Sequence, residues 1–226
     1  MGLMKISDYK RFRKIFQGKH TLIVNDNRQI YEPQANILNQ LGVTDILIRK
    51  SIESGREEIE KNGDNFNLLI LSYFLPETEK DSEYTSRLEE RITNINRQLY
   101  EKIEIIHRTP EETRLSKERI NLIKKRASRL RRYGAIELLE SIKNPDKIPP
   151  VVYCPGGEIE GDSSLLTPDD YKYDNSPSTQ RIIKLGIPQI RGPLMETILF
   201  GHEIGIEETA KTIEGKYIHK DLSVLT

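Results

Sequence analysis

Three short apolar runs, each closed by polar residues and separated by helical periodicity, constrain this chain more than any other feature. His20-Thr21-Leu22-Ile23-Val24 is apolar and β-branched, the mark of a buried strand. Asn25-Asp26-Asn27 stops it, and Asn27 suits a helix N-cap. Ile30, Ile37, Leu38 and Leu41 then recur at helical spacing, and Gly42 stands where a left-handed C-cap belongs. Asp45-Ile46-Leu47-Ile48 reads as a second strand. Ser51 can cap a helix running through Ile59, which Asn62-Gly63 ends. Leu68-Leu69-Ile70-Leu71 is a third strand, closed by Ser72. Short strands spaced by helices of this size predict a parallel α/β sheet with right-handed crossovers.

The pattern then changes. From Thr85 to Ile106, Leu88, Ile92, Ile95, Leu99, Ile103 and Ile106 form one helical stripe with charged flanks. Thr109-Pro110-Glu111-Glu112 is a capping box with proline at the first helical position. A second stripe follows: Ile120, Ile123, Ala127, Leu130, Gly134, Leu138 and Ile142. Two stripes joined by a short turn predict an antiparallel helical hairpin. Its second helix would be about 50 Å long unless Gly134 interrupts it. Strand-like sequence resumes at Pro150-Val151-Val152-Tyr153-Cys154 and again at Pro188-Gln189-Ile190-Arg191, with a helix from Ser176 to Gly186 between them. Pro193 opens a last helix carrying Leu194, Ile198 and Leu199. The expected organisation is a basic N-terminal helix (1–18), a first half-domain (19–83), a hairpin insertion (84–147), a second half-domain (148–212) and a tail (213–226).

With 226 residues, 36% of them hydrophobic, the chain can bury one sizeable core. No stretch approaches the roughly 20 apolar residues that span a bilayer, and the start lacks the apolar region of a secretory signal. A single cysteine excludes an intrachain disulfide framework. These features predict a cytoplasmic protein without a membrane partner. Net charge is zero, yet it is segregated: residues 53–104 hold thirteen acidic and seven basic side chains, and residues 107–133 hold ten basic and three acidic ones.

With the hairpin set aside, five β-α units remain. Thr21-Leu22-Ile23-Val24-Asn25-Asp26-Asn27 resembles the first strand and acidic pair of the response-regulator receiver domain. Leu68 to Pro76 resembles the third strand, the phosphoacceptor turn and the following proline. Leu185 to Leu194 resembles the stretch ending in that family's lysine-proline pair. The resemblance covers about residues 19–80 and 148–205. It implies a CheY-like (flavodoxin-like) doubly wound, five-stranded parallel α/β sheet, interrupted by the helical hairpin.

The departures from the family fall on its chemistry. Phosphoryl transfer needs a carboxylate nucleophile where this chain has Ser72, and a serine hydroxyl needs an adjacent base. The acidic pair that would hold Mg²⁺ is Asn25-Asp26, which leaves Asp26 as one weak metal candidate. The lysine position falls on Gly192, beside Arg191, and the switch hydroxyl falls near Cys154 or Pro155. The resemblance thus implies a degenerate pocket of Asn25, Asp26, Ser72, Cys154, Arg191 and Gly192, with no catalytic residue and no cofactor. Such a module would act through protein partners or as a homodimer. The family's partner face, near residues 178–205 and including Pro193 and Leu194, is one candidate surface. The other is the hairpin.

The basic run Lys124-Lys125-Arg126, with Arg129 and Arg132, is the strongest local charge feature. It could track nucleic-acid phosphates. Alternatively it is a solvated face that pairs with the acidic first helix of the hairpin through Glu89, Glu90, Glu101 and Glu104, or it is a protein-binding face. The second reading is preferred, because only Tyr133 stands near the run to stack on bases. An enzyme on a Rossmann-like sheet is disfavoured, since no nucleophile-base pair, metal cluster or nucleotide loop stands in the sequence. A response regulator that still responds to phosphorylation is a further alternative. Gly156-Gly157 reads as a turn, the four histidines lack metal-ligand spacing, and Cys154 reads as a buried structural thiol.

Overall fold

The computed structural model of this chain describes residues 13–72, 74–100, 109–131 and 133–149, and the backbone of 151–153 and 189–190. Its element order begins β1 (His20–Val24), α1 (Arg28–Gln40), β2 (Asp45–Arg49), α2 (Ile52–Asn62) and β3 (Leu68–Leu71). β1 pairs in parallel with β2 on one side and with β3 on the other. The predicted caps explain where the helices begin. Asn27 accepts from the Gln29 backbone N–H, and Ser51 forms a reciprocal capping box with Ser54. Gly42, at φ 91°, takes the left-handed conformation that turns the chain out of α1 and back toward the sheet.

The sheet is covered on both faces, as parallel sheets require. Ile23, Leu68 and Ile70 pack on Leu38 of α1 and on Leu41 at its C-cap, together with Phe16 from the N-terminal segment. Leu22, Val24, Leu69 and Leu71 face α2 and the later helix described below.

After β3 come the short strand β4 (Leu75–Pro76), α3 (Glu79–Tyr100) and α4 (Pro110–Ala127). Thr78 caps α3: its hydroxyl accepts from the Asp81 backbone N–H and donates to the Asp81 carboxylate. α3 therefore starts at Glu79, ahead of Leu88, the first residue of the apolar stripe. Leu88, Ile92 and Ile95 meet Leu115 and Leu122 of α4 along the predicted hairpin. Ile103, Ile106, Glu101 and Glu104 lie outside the described residues.

The second stripe does not form one long helix. α4 ends at Ala127, and the Ser128 hydroxyl bonds back to the Lys125 carbonyl. The chain then extends into β5 (Leu130–Arg131), antiparallel to β4, which ties the exit of the hairpin to its entrance. It re-enters a helix at α5 (Gly134–Glu140). Gly134 is the point of closest approach, not the break. A Cβ there would stand 2.9 Å from the Leu75 backbone nitrogen. Ala135, Ile136, Leu138 and Leu139 of α5 join the sheet core against α2. Gly55 permits that contact, since a Cβ on it would meet Leu138 at 2.6 Å. The later half of the second stripe thus belongs to the α/β layer.

Two further backbone segments extend the sheet in parallel: β6 (Val151–Tyr153) beside β3, and β7 (Gln189–Ile190) beside β6. Among the described residues, no helix is long and apolar enough to cross a membrane.

Candidate functional site

Adjacent strands deliver their polar ends to one edge of the sheet. The Asn25 backbone N–H donates to the Arg49 carbonyl of β2, and the Ser72 N–H donates to the Val24 carbonyl of β1. Asn25, Asp26 and Ser72 therefore sit together at the C-terminal ends of β1 and β3, where ligands bind in open α/β sheets. Asn25 is buried and its side-chain oxygen accepts from the Asn27 N–H, so it shapes the turn into α1. The Ser72 hydroxyl donates to the Phe74 carbonyl at 3.1 Å, closing the loop after β3.

The hairpin crosses this edge. Arg126, in the last turn of α4, sends Nη2 to within 2.9 Å of the Asp26 Oδ2. Its Nε lies 3.0 Å from the Glu89 Oε2 of α3. The Asp26 side chain is 2% exposed and that of Arg126 17%, so the pair is largely withdrawn from water. Burial pushes Asp26 above the usual carboxylate range. The Arg126 guanidinium and the buried Thr85 hydroxyl oppose that rise, and Glu89 adds to it. Arg126 thus places one positive charge between two carboxylates that would otherwise repel each other at the strand ends.

The other cations of the basic run divide. Arg129 pairs with Asp81 at 3.3 Å and lies over the Tyr84 ring. Arg131 pairs with Glu77 across the β4–β5 ladder. Lys124 and Lys125 are exposed. Arg126, which the sequence groups with the other cations of the run, points into the molecule. Of the acidic partners expected on the first helix, Glu89 makes the predicted contact with the basic run. A further bridge, Arg91 to Glu118 at 2.8 Å, links the two helices. The signal for Arg126 was present in the sequence only as charge. Nothing there paired it with a residue one hundred positions away.

A second buried pair gives a contrast. Arg49 Nη2 lies 2.5 Å from the Glu58 Oε2 within the β2–α2 unit. Burial pushes Glu58 up as well, but hydrogen bonds from Asn62 and Arg49 outweigh it and leave Glu58 below its usual range. Its partners are local, and both serve one carboxylate.

Cys154, Arg191, Gly192, Pro193, Leu194 and Arg132 lie outside the residues whose side chains are described, as does the partner face near 178–205 apart from the backbone of β7. Among the described residues, no group of three His, Cys, Asp or Glu is placed to hold a metal ion. No protein-family model, no curated protein and no solved structure matches this chain.

Proposed function

We propose that this chain is a non-enzymatic regulatory module that works through protein contacts. It is built on a receiver-like domain whose phosphoacceptor position carries Ser72. One observation carries the reading: the Arg126 guanidinium sits on Asp26, at the strand-end pocket where a receiver would gather a metal ion and a phosphoryl group. A resident cation from the chain itself fills the electrostatic role that Mg²⁺ would otherwise supply. The hydroxyl that stands in for the nucleophile is engaged with Phe74. Strand order adds support, because the parallel pairings read 2-1-3 with the two later segments following as fourth and fifth. These pairings support a flavodoxin-like reading, with the hairpin inserted after the third strand.

The test is incubation of the full chain with acetyl phosphate and Mg²⁺, followed by intact-mass measurement. Wild type and the double variant Asn25→Asp/Ser72→Asp are expected to remain unlabelled. Adding Arg126→Ala to the double variant is expected to give the first detectable phosphoryl adduct. Labelling of the wild type would overturn the pseudo-receiver reading and favour a phosphorylation-responsive regulator. Labelling of the double variant with Arg126 intact would show that the arginine does not close the pocket.

A further inference from the structure

The apolar stripe that the sequence advertises on α4 is not the one it buries. Leu115 and Leu122 face α3 at 7% and 4% exposure, whereas Ile120 is 48% exposed and Ile123 41%. Ile120, Ile123 and the exposed Ala127 follow each other at three- and four-residue spacing, so they line one side of the helix. Lys117 and Lys124 border that strip, with Arg114 and Lys125 on the next rows, and all four are exposed. Their side chains make no ion pair among the described residues. The acids of α4 lie elsewhere: Glu112 closes the cap on Thr109, Glu118 bridges to Arg91, and Glu111 is in the first turn. The outward side therefore combines a short aliphatic strip with cations of one sign.

We infer that this side of α4 is a docking surface for an acidic peptide segment that carries aliphatic anchors at helical spacing. Charge complementarity sets the sign of the partner, and the isoleucines set its second requirement. A polyanion has no use for two uncovered isoleucines. A nucleic-acid surface would be expected to show aromatics on which bases stack, yet α4 contains no aromatic. Arg126, Arg129 and Arg131 are already engaged with Asp26, Asp81 and Glu77. An aliphatic centre ringed by charge is how amphipathic helices dock, with apolar anchors supplying affinity and the rim supplying register. Arg126 also ties the last turn of α4 to Asp26 at the sheet edge.

The surface rests on the reading of this chain as a protein-contact module, but not on the state of its pocket. Phosphodonor labelling leaves it untouched, and the two ideas fail separately. The probe is a random peptide display library panned against the immobilised full chain. Counter-selection uses Ile120→Ser/Ile123→Ser and Lys117→Glu/Lys124→Glu, whose exposed substitutions preserve the fold as checked by circular dichroism. Enriched peptides are expected to be acidic, with aliphatic residues at three- and four-residue spacing. Their affinity should fall about tenfold or more in each double variant. Failure to enrich, or peptides indifferent to both variants, would overturn the proposal. So would tighter binding of a single-stranded oligonucleotide or phosphatidylserine vesicles that survives Ile120→Ser/Ile123→Ser, which would make the surface a polyanion site.

Discussion

The strand layer and the hairpin are held by different forces. Leu22, Ile23, Val24 and all four residues of β3 are sealed at 0% exposure, and α1, α2 and α5 supply aliphatic cover on both faces. The hairpin has a thinner seam, in which Leu88, Ile92 and Ile95 meet Leu115 and Leu122 at 4–7% exposure. Its base is fastened by charge: Arg126 to Asp26 and Glu89, Arg129 to Asp81, Arg131 to Glu77. The aliphatic layer has little sensitivity to pH or salt. The charged fastening responds to both, because the charge on its acids changes with pH and its outer pairs are screened by solvent ions. A single chain thus joins a rigid layer to an appendage whose seating can be tuned.

The largest effect should come from the layer. Leu71→Ala removes a fully buried side chain between α2 and α5 and is expected to cost about 3–4 kcal/mol in urea unfolding. A loss below about 1 kcal/mol would mean that the layer is not the dominant support.

Next comes the fastening. Arg126→Met leaves Asp26 and Glu89 facing each other without their cation and is expected to cost about 2–3 kcal/mol near pH 7, somewhat less than a fully buried pair. The pH dependence has a definite sign. Asp26 already titrates above the usual carboxylate range, so its contribution to stability is full in acid and is lost as pH rises through the folded value. Removing Arg126 raises that value further. The deficit of the variant should therefore be greatest near neutrality and shrink as pH falls toward about 4, measured as unfolding midpoints across pH. A deficit that does not change with pH would show that Arg126 acts by packing alone. Glu58 runs the other way, since its lowered value gives stability at neutral pH that is lost on acidification. Arg49→Met should therefore reduce an acid-side loss that Arg126→Met leaves in place, with the Asn62 hydrogen bond keeping the remainder.

The smallest effect is expected on the outward side of α4. Ile120→Ser and Ile123→Ser should each change stability by no more than about 0.5 kcal/mol in the same unfolding measurement. A cost above about 1.5 kcal/mol would place them in a packed core, as the sequence stripe alone suggests.

Much of the layer is legible in the amino-acid sequence. Local chemistry dictates the three strands, the caps at Asn27, Ser51 and Thr109, and the left-handed turn at Gly42, and each depends only on neighbours in the chain. The strand-end cluster of Asn25, Asp26 and Ser72 is legible for the same reason, because parallel strands in this order bring their ends to one edge. Other features answer to docking. Helical period reveals that α4 has apolar rows but not which row is covered, and the structure covers Leu115 and Leu122 in place of Ile120 and Ile123. The break at Ser128 follows from the pairing of β5 with β4, a contact made across the whole hairpin. The union of Arg126 with Asp26 spans one hundred residues. A carboxylate and a guanidinium carry no mark of each other in sequence, and only the seating of the hairpin on the sheet edge decided that they meet.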